Sequence, residues 1–120
     1  MTNFHFEICG ELITDDFVEL MSKARKGLFQ IETGIQSTNK KTLASVKRSV
    51  AVEKTLDNIK KLTALPNIKV HVSLIAGLPF EDYNKYKDSF NTVYRLSADT
   101  FQAGFLKLLR TWRALKLCVY

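Results

Sequence analysis

The chain has 120 residues, of which 46% are hydrophobic and 25% charged, and this balance is that of an ordinary globular domain. The composition excludes a disordered tail and a collagen-like rod, and the apolar runs are too short for a transmembrane helix. No cationic start with an apolar segment follows Met1, so no secretory signal is predicted. The two cysteines, Cys9 and Cys118, lie at opposite ends of the chain, and we expect a protein of the reducing cytoplasm. Because the apolar runs are short, we expect no membrane partner.

The net charge of +6 is concentrated at one end of the chain. The stretch 107–120 contains no acidic residue and four basic ones: Lys107, Arg110, Arg113 and Lys116. The rest of the chain carries little net charge, so a nucleic-acid partner for the fold is not expected.

Hydrophobic patterning predicts strands that alternate with helices in the order β-α-β-α-β-α-β. The predicted strands cover residues 4–9, 28–35, 68–75 and 100–106. The first predicted helix starts at Thr14 and ends at Gly27, and a short second helix is capped by Ser37, Thr38 or Asn39. Amphipathic spacing predicts a third helix over 52–65 and a fourth with a core-facing stripe of Tyr83, Tyr86, Phe90 and Tyr94.

The two faces of each predicted strand differ in kind. Ile31 and Ile35 alternate with Glu32 and Gln36 on the second strand, for example, and the other strands follow the same pattern. Short loops and intervening helices imply parallel strands with right-handed crossovers. Two structures remain open: helices that cover one side of an open sheet, or a sheet that curls so that its polar face lines a barrel. We favour an α/β fold with about four strands of a TIM-type (β/α) barrel, half of the usual eight.

Three segments at the ends of predicted strands carry a family resemblance: Phe6–Gly10, Ile31–Ser37 and Leu74–Pro79. In this order and at this spacing they resemble the later strands of radical S-adenosylmethionine enzymes. The resemblance is strongest to the Fe–S oxidoreductase branch that is associated with cobalamin-binding domains. It covers residues 4 to about 110 and implies the third to sixth strands of a six-stranded partial barrel.

The family's Cys-x-x-x-Cys-x-x-Cys motif, which holds a [4Fe–4S] cluster, does not occur in this sequence. Cys9 and Cys118 cannot supply its three thiolates. The resemblance therefore implies that residues 1–110 are a barrel fragment whose parent binds the cluster and S-adenosylmethionine. We expect the fragment alone to bind neither and to be inactive, because its partner is the missing N-terminal part of the barrel. Residues 111–120 depart from the family pattern and are predicted to be an atypical tail of vector-derived or out-of-frame origin.

The resemblance assigns cofactor-binding roles to three polar residues. Glu7 corresponds to a carboxylate that accepts hydrogen bonds from the ribose hydroxyls, and a carboxylate suits two adjacent donors. Gln36 corresponds to a glutamine whose amide both donates and accepts. Arg48, after the short helix, corresponds to an arginine whose guanidinium matches the cofactor carboxylate.

Three residues of the third strand and its turn complete the predicted site. Ser73 stands where the family pattern carries an aspartate, so it retains a hydrogen-bonding group without the charge. Ile75 corresponds to an apolar side chain that packs on the adenine. Gly77 begins a turn whose backbone approaches the purine closely.

No catalytic residue and no metal site is predicted. His5 and His71 lie on one face of the predicted sheet, without a third ligand, and are expected to be hydrogen-bonded histidines of a barrel lumen. Two other functions remain open: a self-contained module that binds a small molecule, and an RNA-binding module. Because a half barrel exposes its edge strands, we also expect self-association, as a two-fold dimer.

Overall fold

The computed structural model describes residues 2–107 and contains the predicted elements in the predicted order. The strands are β1 (Phe4–Glu7), β2 (Phe29–Gln36), β3 (Lys69–Ala76) and β4 (Thr100–Phe105). The helices are α1 (Asp15–Ser22), α2 (Lys40–Ser45), α3 (Val52–Thr63) and α4 (Tyr83–Tyr94), with a 3₁₀ turn at Gly10–Leu12. The prediction of an atypical tail at 111–120 lies outside the described residues.

The four strands form one parallel sheet in the order β1-β2-β3-β4, so neighbours in space are neighbours along the chain. Right-handed crossovers between consecutive parallel strands place the connecting helices on a single side. The α/β fold with four parallel strands is therefore confirmed. Within 2–107, no helix has both the length and the apolar character that crossing a membrane requires.

The core lies between this sheet and the helices. Ile31, Val70, Val72 and Leu74 project from β2 and β3 and are buried. They pack against a second set of buried side chains from the helices and loops: Ile13, Met21, Ile59, Leu62, Ile68 and Val93. Each fully buried aliphatic side chain contributes about 1.5–3 kcal/mol relative to exposure. The alternation predicted for the strands therefore sets which face meets the helices.

The prediction that α1 extends to Gly27 is wrong, because α1 ends at Ser22. The Asn67 side-chain amide donates hydrogen bonds to the carbonyl oxygens of Met21 and Ala24, both at 2.8 Å. These bonds satisfy carbonyl groups that a longer helix would use internally. Gly27 has a φ of 78° and lies instead in the turn that leads into β2.

The predicted aromatic stripe on α4 is only partly a core surface. Tyr83 and Tyr94 are 77% and 70% exposed, which contradicts core packing for both. The buried line of α4 passes through Ser89 and Val93, and Tyr94 lies about 100° around the helix from Val93. Phe90 sits at the margin, with its ring centroid 4.9 Å from that of Phe101.

Candidate functional site

A polar surface lines the face of the sheet opposite the helices. One row across the four strands contains Glu7, Glu32, His71 and Thr100. The next row, nearer the carboxyl ends, contains Gly34, Ser73 and Gln102. Because side chains on a strand alternate between faces, these residues share the face that the helices leave uncovered.

The two histidines of this face differ in their hydrogen bonding. His5 Nε2 lies 2.8 Å from Glu32 Oε2, which confirms the predicted hydrogen bond for His5. His71 Nε2 is buried and has no hydrogen-bond partner among residues 2–107, so the prediction is wrong for His71 within that range. Over the same residues, no group of three or more His, Cys, Asp or Glu side chains could hold a metal ion.

Gln36, at the end of β2, has an unusual backbone and side-chain position. Its φ is 68°, in the left-handed region that a non-glycine residue rarely adopts, and the pairing register with β3 shifts between Gly34 and Gln36. The side chain folds back over Gly34, so that the amide nitrogen lies where a Cβ at residue 34 would stand. Ser73 Oγ is 3.6 Å from that same point. The irregular backbone of β2 therefore brings Gln36 above Gly34 and beside Ser73.

The side-chain amide oxygen of Gln36 is buried and has no hydrogen-bond partner among the described residues. An unpaired buried acceptor costs about 1–3 kcal/mol. Strained backbone and unsatisfied polar atoms concentrate at functional sites. Both features coincide at Gln36, which makes this position the centre of the candidate site.

Arg48 reaches the same place from the loop after α2. Its Nη2 donates a hydrogen bond to the Gly34 carbonyl oxygen at 2.8 Å. The preceding residue, Lys47, has a φ of 56°, so the loop turns sharply just before the arginine. Arg48 and Gly34 also line a cleft of about 240 Å³, together with Cys9 and Ser49. This cleft lies between the carboxyl ends of β1 and β2 and the connection from α2 to α3.

The other three predicted site residues lie on β1, on β3 and in the turn after β3. Ile75 is two residues beyond Ser73 on β3 and pairs with Gly104. Gly77 follows β3 directly, with a φ of 92°. Glu7 is in register with Glu32 and lies one row toward the amino ends of the strands, on the polar face and exposed. The structure thus groups Gln36, Arg48 and Ser73 around Gly34. Ile75, Gly77 and Glu7 lie outside this group.

A buried polar cluster beneath the site was not anticipated from the sequence. Ser37 Oγ donates a hydrogen bond to Glu81 Oε1 and accepts one from the Asn39 backbone at 3.0 Å. Ser37 is therefore not the N-cap of α2; the Asn39 side chain caps it, accepting from Lys41 N at 3.1 Å. Nearby, Thr38 Oγ1 lies 2.8 Å from Ser89 Oγ. The cluster joins the loop after β2 to Glu81, which precedes α4, and to Ser89 in the middle of α4. No sequence pattern marks its carboxylate.

Glu81 gives this cluster a pH dependence. Burial raises the pKa of Glu81 above its ordinary value, although the Ser37 and Ser89 hydroxyls act in the opposite direction. A carboxyl group with a raised folded-state pKa stabilises the fold fully below its unfolded pKa, and this contribution is lost as the pH rises through the folded pKa. Burial therefore makes the ionised form of Glu81 less favourable in the folded chain than in the unfolded chain.

We expect Glu81→Gln to increase the free energy of unfolding at pH 7 and to reduce its pH dependence above pH 4.5, the unperturbed value. Glutamine retains the oxygen that accepts from Ser37 but carries no charge. Urea unfolding at a series of pH values measures both effects. Glu53→Gln is the control, because the Lys40 hydrogen bond lowers the pKa of Glu53 and the replacement should not stabilise. A Glu81→Gln protein that is less stable than the parent at pH 7 would contradict the prediction.

Comparison with known proteins identifies the family of this chain. The sequence profile of the radical SAM superfamily matches residues 1–93. The chain is 29% identical over 89 residues to a tRNA-2-methylthio-N(6)-dimethylallyladenosine synthase of Clostridium botulinum, an alignment that covers 73% of this chain and 20% of that protein. It is 31% identical over 98 residues to the ribosomal protein uS12 methylthiotransferase RimO of Endomicrobium trichonymphae, covering 79% and 22%. The chain thus spans about one fifth of these relatives.

Solved structures show the same fold. Coproporphyrinogen III oxidase (HemN) from Escherichia coli superposes with a TM-score of 0.78 at 20% identity, over 96% of this chain and 26% of that enzyme. Elp3 from Methanocaldococcus infernus superposes with a TM-score of 0.72 at 19% identity, over 96% and 27%. The four strands are therefore part of a TIM-type barrel, as predicted. By the extent of the profile match, the chain belongs to the radical S-adenosylmethionine superfamily.

Proposed function

We propose that this chain forms one wall of the S-adenosylmethionine pocket of a larger radical S-adenosylmethionine enzyme, as the third to sixth strands of its partial barrel. The observation that carries this proposal is the Gln36 side chain, held over Gly34 with a buried amide oxygen that lacks a donor within 2–107. A ligand that donates a hydrogen bond to that oxygen removes the cost of leaving it unpaired.

The groups nearest to Gln36 suit the amino-acid part of the cofactor. The amide oxygen of Gln36 is an acceptor for an ammonium group or a hydroxyl. Arg48 uses one guanidinium nitrogen on the Gly34 carbonyl, and its remaining N–H groups match a carboxylate. Ser73 contributes a hydroxyl on the same face. These three side chains would therefore hold the polar end of the ligand.

The residues around that group suit the nucleoside. Ile75 offers an apolar surface for the adenine, and its cross-strand neighbour Gly104 has no side chain to obstruct it. Gly77 supplies backbone that a purine can approach closely. Glu7, one row away on the same face, is the carboxylate that we assign to the ribose hydroxyls. The chain's role is to bind and orient the nucleoside and to keep water from it.

The residues of this chain do not fit the [4Fe–4S] cluster. The sequence has two cysteines, Cys9 and Cys118, where three thiolates are needed. We infer that the N-terminal part of the parent barrel carries the cluster and that this chain alone is inactive. When bound there, the cluster and S-adenosylmethionine together supply the reductive cleavage that generates an organic radical.

Two reactions are proposed for the parent enzyme. The sequence segments at the strand ends favour an Fe–S oxidoreductase of the cobalamin-associated branch, acting in the cytoplasm. A methylthiotransferase is the second candidate, because the curated relatives at 29–31% identity carry that activity in their names. Formation of a methylthiolated product from a tRNA or ribosomal protein by the restored enzyme would select the second candidate.

A chimera tests the proposal. The N-terminal part of the Escherichia coli coproporphyrinogen III oxidase barrel, which we expect to carry the cluster, would be joined ahead of β1, guided by the superposition. With dithionite and S-adenosylmethionine, the reconstituted chimera should produce 5′-deoxyadenosine, whereas the present chain should produce none. We expect Gln36→Ala to weaken S-adenosylmethionine binding by the chimera by about tenfold or more, as for the loss of a hydrogen bond to a charged group.

Calorimetry on the present chain separates this proposal from the two alternative functions. Tight binding of a nucleotide or a sugar phosphate by the chain alone would favour a self-contained small-molecule module. RNA binding that weakens steeply with salt would favour an RNA-binding module. A correctly folded chimera that loads a cluster but neither binds nor cleaves S-adenosylmethionine would overturn the proposal.

A further inference from the structure

The end of β2 makes a sharp turn at Gln36. Ser37 N donates a hydrogen bond to the carbonyl oxygen of Ile35 at 2.9 Å, which closes a γ-turn of three residues. With a φ of 68° at its central residue, Gln36, this turn belongs to the rare and strained form. Gln36 also pairs with Leu74, where regular pairing would place Ile35, so β2 carries one extra residue at this point. A strained turn persists only when the surrounding structure holds it.

The two residues that flank Gln36 are both held in place. Ser37 is fully buried, and its hydroxyl group donates to Glu81 Oε1 and accepts from Asn39 N at 3.0 Å. The single donor of this hydroxyl is therefore in use. Ile35, on the other side of the turn, is buried in the hydrophobic core. The central residue is thus constrained from both sides.

The residue after Ser37 is bonded to α4. Thr38 N donates to Ser89 Oγ at 3.0 Å, and Thr38 Oγ1 lies 2.8 Å from the same atom. Ser89 is fully buried in the middle of α4. Two successive residues of the loop after β2 are therefore bonded to the segment 81–89.

Of the two groups in this segment, Glu81 lies nearer to the γ-turn. Its carboxylate accepts from Ser37, whose backbone N–H closes the turn, whereas Ser89 contacts Thr38, one residue further on. The second carboxylate oxygen of Glu81, Oε2, is buried and has no hydrogen-bond partner among residues 2–107. Burying an acceptor without a partner costs stability. The position of this carboxylate is therefore better explained by what it holds than by the stability it contributes.

We propose that Glu81 is a positioning residue for Gln36: by holding the Ser37 hydroxyl, it keeps the γ-turn closed and the Gln36 amide over Gly34. When this hydrogen bond is lost, the end of β2 relaxes toward regular extended backbone, in which φ is negative. The Gln36 side chain then leaves Gly34. Glu81 acts through Ser37 and does not itself contact a ligand; the consequence for S-adenosylmethionine rests on the proposed function.

Nuclear magnetic resonance of the present chain tests the positioning without a ligand. A positive φ brings the amide and α protons of a residue close together, so Gln36 should show a strong intraresidue Overhauser effect between them. Glu81→Ala and Ser37→Ala should each reduce it to the level of an extended residue such as Ile31, because each removes one partner of the same hydrogen bond. Ser37→Ala deletes a single oxygen atom, so the test does not depend on the folding of Glu81→Ala. Glu81→Gln retains the accepting oxygen and should retain the strong effect.

Asp82→Ala is the matched control. Asp82 is the neighbouring acidic residue and caps α4, with Oδ1 accepting from Lys85 N at 2.9 Å. Loss of the cap costs stability close to Glu81 but leaves the hydrogen bond to Ser37 in place. The Overhauser effect of Gln36 should therefore be unchanged. An equal reduction in Asp82→Ala and Glu81→Ala would overturn the proposal, because general loosening of the segment would then account for both.

The chimera connects the positioning to binding. Glu81→Ala should weaken S-adenosylmethionine binding by about tenfold or more, and the double variant with Gln36→Ala should lose little beyond either single one. Glu81→Gln should bind like the parent. Additive losses, or an Overhauser effect that survives both Glu81→Ala and Ser37→Ala, would overturn the positioning role and leave the proposed function intact. A Gln36→Ala chimera that binds as tightly as the parent would instead contradict the proposed function, while a lost Overhauser effect would still support the action of Glu81 on Gln36.

Discussion

Gly34→Ala in the chimera should weaken S-adenosylmethionine binding by about tenfold or more while leaving the fold intact. A Cβ at residue 34 would occupy the position of the Gln36 amide nitrogen, and that nitrogen is the end of a flexible side chain. The side chain can therefore swing away without disturbing the backbone, but it then no longer presents its amide to a ligand. Calorimetry measures the loss of binding, and urea unfolding measures the stability.

A double substitution shows whether Gly34 acts through Gln36. If it does, Gly34→Ala should add little to the binding defect of Gln36→Ala, because both changes remove the same contact. Independent, additive losses would mean that the new methyl group obstructs the ligand directly. A Gly34→Ala protein that binds as tightly as the parent would contradict the placement of Gln36 in the pocket.

Leu62→Ala is expected to have the largest effect on stability. Leu62, on α3, is fully buried against the sheet, and the replacement leaves a cavity in the core. Leucine-to-alanine changes at such positions cost about 2–5 kcal/mol, a large part of the 5–15 kcal/mol that stabilises a typical domain. Urea unfolding at a fixed protein concentration measures the difference.

Leu20→Ala is the matched control for this prediction. Leu20 lies on α1 and is 63% exposed, so the same change of side chain should alter the free energy of unfolding by less than about 0.5 kcal/mol. Equal losses at the two positions would contradict the prediction, because alanine is the better helix former and only the loss of packing can account for a large cost. A small change in the free energy of unfolding for Leu62→Ala would show that α3 contributes little to the packing of the core.

Periodicity predicted the parts of this fold that depend on burial. The alternation of Ile31 and Glu32 along β2 identified the face that meets the helices, because one buried side of a strand imposes a period of two. The same argument failed at Tyr83 and Tyr94, where large aromatic side chains at helical spacing lie in solvent. The spacing of apolar residues indicates which of them share a side of a helix. It does not indicate how much of that side the sheet covers, and the sheet does not cover Tyr83 and Tyr94.

Tertiary hydrogen bonds decided the features that periodicity could not predict. Asn67 ends α1 through bonds from 43 and 46 residues away in sequence, so Gly27 was a misleading local signal. The fold of Gln36 over Gly34 depends on a register shift against β3 that no local pattern encodes. The choice of Gln36, Arg48 and Ser73 came from the family resemblance, and their assignment to a cofactor stays a prediction.

The sequential order of the strands has a consequence for how such a barrel can be divided. Each strand pairs with those immediately before and after it along the chain, so every βα unit is completed by its direct neighbours. Further strands can be added at either edge of the sheet without breaking an existing strand pair. A division of the chain between two βα units would separate only one pair of hydrogen-bonded strands. The strand pairs within each of the two pieces would be kept, so we expect a sheet of this order to form from separate polypeptides.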